Sequence, residues 1–164
     1  ELTGVALTEI GVGALIYFLT VGAIEPLIGM IEDKIPGLKD ETLLIIIGYI
    51  LRGLIFIAFS KATNVWHLYL FQFSVGLCQA MYNASDRTMF SSLIPKNAGA
   101  TFWGAEDSIV TISAAIGAII GGKAAAIYGF RPVIVATGLL TIVAGLVYSM
   151  VINELKKHKI WKGY

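Results

Sequence analysis

Long apolar blocks alternate with short polar breaks along this chain, and the apolar residues run in blocks and not in a stripe of helical period. GVGALIYFLTVGAI, at 11–24, is one of them. A helix with a single apolar stripe suits the surface of a soluble domain, whereas one apolar all round suits a membrane or a deep core. About 20 such residues cross the ~30 Å of hydrocarbon in a bilayer. Five blocks approach that length and predict spans at about 8–31, 41–60, 67–93, 100–128 and 132–152. The breaks KIPGLKDE, SKATNVWH, IPKNAG and YGFRP hold the prolines, glycines and charges that end helices. All are short. The expected architecture is therefore all-α and integral to the membrane: one compact helical domain over 1–164, with a basic tail at 153–164.

Composition sharpens this. With 57% hydrophobic and 14% charged residues, 164 residues cannot coat a soluble domain with polar surface. Membrane lipid is the expected surrounding. A net charge of +1 without a basic stripe gives no reason to expect nucleic acid as a partner. Cys78 is the one cysteine, which excludes an internal disulfide, and it reads as a small buried apolar residue. His, Cys and carboxylates nowhere take metal-ligand spacing, and neither a phosphate loop nor a GxSxG elbow occurs. No metal, no cofactor and no enzymatic chemistry are expected.

The basic residues set the expected orientation. Lys34, Lys39, Arg87, Lys96, Lys156, Lys157, Lys159 and Lys162 fall at one end of the alternating spans, against Lys61, Arg131 and Lys123 toward the other. Cytoplasmic ends collect Lys and Arg. The first end, with the tail, is thus expected in the cytoplasm, in a plasma or inner membrane. Trp66 and Tyr69 at one end, and Trp103 and Trp161 at the other, suit the interfacial belts. The chain opens on Glu1, not Met, and a helix ahead of it is expected.

Charges at membrane depth are costly and mark functional or paired positions. Glu25, in the first span, and Arg52, in the second, differ in depth by roughly 4–5 Å at 1.5 Å per residue. They are expected to pair, either as a structural bridge or as a proton site. Asp86, Arg87, Glu106 and Asp107 flank one corner, where Arg87 is expected to bridge to Glu106 or Asp107 as a clasp or a gate. In the third span Gln72, Gly76, Gln79, Asn83 and Asp86 recur at steps of three and four and so share a face. That face reads as the lining of a watery path or as interhelical glue. Gln72, Gln79 and Asn83, with Tyr17 in the first span, are the substrate-cavity candidates. Ser113, Gly117 and Gly121, with Gly122 beside them, form a small-residue stripe that predicts close helix packing. The fifth span holds few polar residues and reads as peripheral and lipid-facing.

EPLIGMIEDK followed by IPGLK resembles the signature loop of the major facilitator superfamily, with Gly29, Asp33, Lys34, Gly37 and Lys39 in its places. FQFSVGLCQAMYNASDRTMFSSLIPKNAGATFWGAEDS and AAIGAIIGGKAAAIYGFRPV resemble later helices of the same half. The resemblance implies two six-helix halves with substrate between them near mid-membrane. It places the first, third and fourth spans at the cavity and the second and fifth outside. It also makes Gly29, Asp33 and Lys34 parts of a cytoplasmic gate, together with Asp86, Arg87, Glu106 and Asp107. The expected function is secondary transport of a small solute by alternating access, with proton coupling open. Helices 8–12 are the expected placement and helices 2–6 the other. The missing other half and a small-molecule substrate are the expected partners. A non-transporting sensor or assembly protein on the same scaffold is the alternative.

Overall fold

The computed structural model describes residues 7–35, 39–95 and 97–157, with the side chains of residues 39 and 151–157 outside that description. Pro36, Gly37, Lys96 and the tail residues Lys159, Trp161 and Lys162 lie outside the described residues, as do the side chains of Lys39, Lys156 and Lys157. Five helices form: α1 (Leu7–Glu32), α2 (Lys39–Phe59), α3 (Val65–Leu93), α4 (Gly99–Tyr128) and α5 (Phe130–Lys157). No strand occurs among the described residues. The ends fall within a few residues of the expected spans, except that α5 continues to Lys157, into the segment expected as a tail.

Local chemistry explains most of these ends. The Asn64 side chain accepts from the backbone N–H of His67 at 3.0 Å and caps α3. Asp40 and Glu41 stand in the first turn of α2, at the positive end of its dipole. Gly129 alone separates α4 from α5, at φ 83°, where a side chain would be strained. Its N–H bonds the carbonyl of Ala125 at 2.9 Å and closes the last turn of α4. Pro26 sits inside α1 and removes one helical donor, yet the helix runs on to Glu32.

The helices meet in the order α1, α3, α2, α5, α4. Contacts fix the directions. Gly13 lies by Leu68 and Gln72, and Gly76 by Thr20, so α1 and α3 run parallel. Gly48 lies by Cys78 and Tyr82 while Phe59 stacks on Phe71, and Gly53 lies by Gly138 while Tyr49 lies by Gly145, so α2 runs antiparallel to both α3 and α5. Lipid is as apolar as leucine, and such helices associate through close packing and interhelical hydrogen bonds. The closest approach is at Gly53 and Gly138. A Cβ on either would stand 2.5 or 2.6 Å from the other's carbonyl oxygen. Gly145, seven residues on from Gly138 and hence on its face, meets Tyr49 in the same seam. The fifth span exposes Leu139, Leu140, Val143, Leu146 and Val147 around the bundle, as expected of a peripheral helix, while its glycines pack it tightly on α2.

The packed interior is small. Ile45 and Met89 are buried, with Tyr49, Tyr82 and Tyr148 against them. Large apolar side chains such as Leu7, Phe18, Trp66, Ile109 and Leu140 stand exposed around the bundle. Four helices are long and apolar enough to cross a membrane: 7–32, 40–59, 99–128 and 130–150. α3 is the exception, because its amides and charges dilute it. It is also the helix placed between α1 and α2, where it needs lipid least. α4 buries none of its residues. Gly117, Gly121 and Gly122 meet no atom within 4 Å. The expected close packing at Ser113, Gly117, Gly121 and Gly122 thus does not occur between helices of this chain. The three glycines instead line an open groove of about 490 Å³ shared with α5.

Candidate functional site

One polar chain crosses three helices. Arg52 of α2 donates to Gln79 Oε1 and to the Tyr82 hydroxyl, both on α3. Tyr82 also donates to Gln79 Oε1. Gln79 Nε2 donates to Asn83 Oδ1 at 2.7 Å. Asn83 Nδ2 donates to Glu25 Oε2 of α1 at 3.2 Å. Glu25 Oε1 then lies 3.8 Å from Arg87 Nη1.

The expected direct Glu25–Arg52 pair does not form, since α3 stands between α1 and α2. Two amides bridge the gap instead. Both present oxygen toward the cation and nitrogen toward the carboxylate. Their dipoles are aligned head to tail, so the separated charges stabilise one another without touching. Arg52 is further held between rings, its guanidinium carbon 5.7 Å from the Phe56 centroid and 5.6 Å from that of Tyr82. Tyr82 in turn stacks on Tyr49, with centroids 4.7 Å apart. No carboxylate forms an ion pair with Arg52 among the described residues.

Gln79 and Asn83 are thus brought together with Glu25 and Arg52. Tyr17 and Gln72 are not part of the chain. Gln72 packs against Gly13, and the Tyr17 backbone lies against Gly76. A groove of about 800 Å³ lies elsewhere, lined by Ile10, Phe59, Leu68, Tyr128, Arg131 and Ile134, toward the opposite end of the bundle. It touches none of the four cavity candidates.

The corner residues are arranged differently from expectation. Arg87 pairs with Glu25 and not with Glu106 or Asp107, because α3 packs on α1 while α4 stands away from it. Asp86 accepts a hydrogen bond from the Tyr148 hydroxyl of α5 at 3.2 Å. Asp33 and Lys34 are exposed, and Gly29 meets nothing within 4 Å. The link between α3 and α4 at this corner is an edge contact of Phe90 with Trp103, centroids 4.9 Å apart.

Sequence reasoning missed Tyr82 and Tyr49. Each is three residues from a residue it did select, Gln79 and Arg52 respectively, and so lies on the same helix face. It also missed Glu32, whose carboxylate accepts from the Ser85 hydroxyl of α3. Glu32 is seven residues beyond Glu25, two helical turns along the same face.

A family model described as Major Facilitator Superfamily matches residues 1–162. The chain belongs to the major facilitator superfamily. No curated protein and no solved structure matches it. Members of this superfamily are membrane transporters, and the four helices long and apolar enough to cross a membrane accord with an integral membrane protein. Within this bundle, the Arg52-to-Glu25 chain links half-buried charge and hydrogen-bonding groups across α2, α3 and α1.

Proposed function

We propose that the chain forms part of a secondary active transporter that moves a small polar solute by alternating access. The observation that carries this reading is the bridge from Arg52 through Gln79 and Asn83 to Glu25, which spans α2, α3 and α1. Amides and a guanidinium offer a solute both donors and acceptors. A solute with hydroxyl or amide groups can replace one link of the bridge at little cost, because each lost internal bond is exchanged for another. In this reading Gln79 and Asn83 face solute when α1 and α3 shift relative to α2, and Glu25 is the group that takes up a proton. The Lys- and Arg-rich end, with Lys34 and Arg87, lies in the cytoplasm, and the second half of the transporter covers α4.

Flux in liposomes tests this. The full-length protein, offered a panel of radiolabelled sugars and amino acids, is expected to carry at least one. Arg52→Gln and Asn83→Ala are expected to cut that flux by roughly tenfold or more, as loss of an interaction worth ~1.4 kcal/mol in the rate-limiting state would. Unchanged flux in both variants refutes the site. Saturable binding without flux favours a sensor on the same scaffold. Collapse of the pH gradient with no effect on uptake removes the proton role of Glu25. Maleimide labelling of Lys34→Cys and Lys61→Cys from opposite sides of the membrane checks the orientation, and labelling of both from one side overturns it.

A further inference from the structure

A second group of acids lies at the end of the bundle where α1 finishes and α2 begins. Glu32, on α1, is 3% exposed, and Glu41, on α2, is 2% exposed. Glu32 Oε1 accepts from the Ser85 hydroxyl of α3, but Glu32 Oε2 is buried without a hydrogen-bond partner. Glu41 Oε2 and both carboxyl oxygens of Asp40 are buried with no donor from another residue, the two carboxyls lying against each other.

Nothing cationic meets them among the described residues. Lys34 is exposed, and Arg87 is engaged with Glu25. The other groups on the surrounding elements add no positive charge. Asp33 and Asp40 repel Glu32. On α3, Asp86 accepts from Tyr148 of α5, and Thr42 of α2 donates to Met89 of α3 at 3.7 Å. The side chain of Lys39 lies outside the described residues. A buried carboxylate with neither cation nor full hydrogen bonding is far costlier than a neutral carboxyl. Glu32 also sits at the negative end of α1, which opposes its charge further. The positive end of α2 favours a charged Glu41, but only weakly beside that burial cost.

We propose that Glu32 and Glu41 form a proton-binding site where the end of α1 and the start of α2 pack on α3 at Ser85, each holding a proton while the three helices are packed together. When those ends part and water enters, each carboxyl gives its proton to water. The resulting carboxylates repel each other and Asp40, and this holds the ends open. The site is separate from the Arg52-to-Glu25 bridge and stands whether or not that bridge handles solute.

Infrared spectroscopy of the full protein in lipid nanodiscs tests this. Buried protonated carboxyls are expected to give a C=O stretching band at neutral pH. Glu32→Gln and Glu41→Gln are each expected to remove part of it, and the double variant to remove that whole contribution. Ser85→Ala is expected to shift the Glu32 component, since its carbonyl loses a donor, and this variant leaves both acids in place should the double variant fail to fold. A band unaltered in the double variant, or unshifted in Ser85→Ala, overturns the proposal. A band that grows in Lys39→Gln also overturns it, because Lys39 would then be the cation that keeps the acids charged.

Discussion

Replacing Gly53 by alanine tests the seam that holds α2 to α5. The added Cβ would stand 2.5 Å from the carbonyl oxygen of Gly138 and 2.5 Å from Ile142 Cγ1. Nonbonded carbon contacts are optimal at roughly 3.5–4.0 Å. Backbone cannot give way as a flexible side chain can, so the two helices must part by roughly 1 Å along this stretch. A gap of that size forfeits roughly a quarter to a half of each contact's attraction. Overpacking of this kind costs about 1–3 kcal/mol. Alanine's better helix propensity offsets about 1 kcal/mol of it. The expected net loss is roughly 0–2 kcal/mol, which places the variant about 1–3 kcal/mol below a control that carries the propensity gain alone. Gly117→Ala is the control, because no atom lies within 4 Å of the new Cβ. It carries the propensity gain alone and should be as stable as the parent or up to ~1 kcal/mol more so. Unfolding in mixed micelles, followed by circular dichroism against denaturant, gives both values. If Gly53→Ala proves as stable as Gly117→Ala, the helices do not approach as described and the reasoning fails.

Two further outcomes follow from the polar contacts. In a double-mutant cycle, Arg52→Gln and Glu25→Gln should show coupling above ~0.5 kcal/mol although the residues do not touch. Asn83→Ala should abolish that coupling by cutting the bridge, and coupling that survives it would mean the charges communicate by another route. Tyr148→Phe should destabilise the protein by about 1–3 kcal/mol, since it leaves Asp86 without its phenolic donor. An unfolding free energy equal to the parent's would show that water or another group replaces that bond.

Element identity was the most legible layer. Apolar blocks of about 20 residues have one stable solution in lipid, because every backbone group must be satisfied within its own helix. The signature-loop resemblance around Gly29, Asp33 and Lys34 likewise pointed to the family found over residues 1–162. The polar residues of the site were also identifiable one by one: Glu25, Arg52, Gln79 and Asn83 stand out as polar groups in apolar surroundings. Their connection was not. Depth along each helix matched Glu25 with Arg52, but depth says nothing about which helix lies between them. Arg87 was assigned to Glu106 or Asp107 on chain proximity, and it reached Glu25 because α3 packs on α1 while α4 stands away.

The glycines carry the same lesson. Glycines and small residues at steps of four on α4 and glycines seven apart on α5 are equally good signs of a flat helix face. The structure uses the face of α5 against α2 and leaves that of α4 open. By itself the sequence determined the number of helices, their approximate places along the chain (though not the end of α5), their membrane setting and the rare polar groups within them, since each of these follows from local hydropathy and backbone hydrogen bonding. Tertiary structure decided which charge meets which, which glycines touch, and that Glu32 and Glu41 are buried with no cation against them among the described residues, because those depend on neighbour choice among helices that lipid solvates equally well from every side.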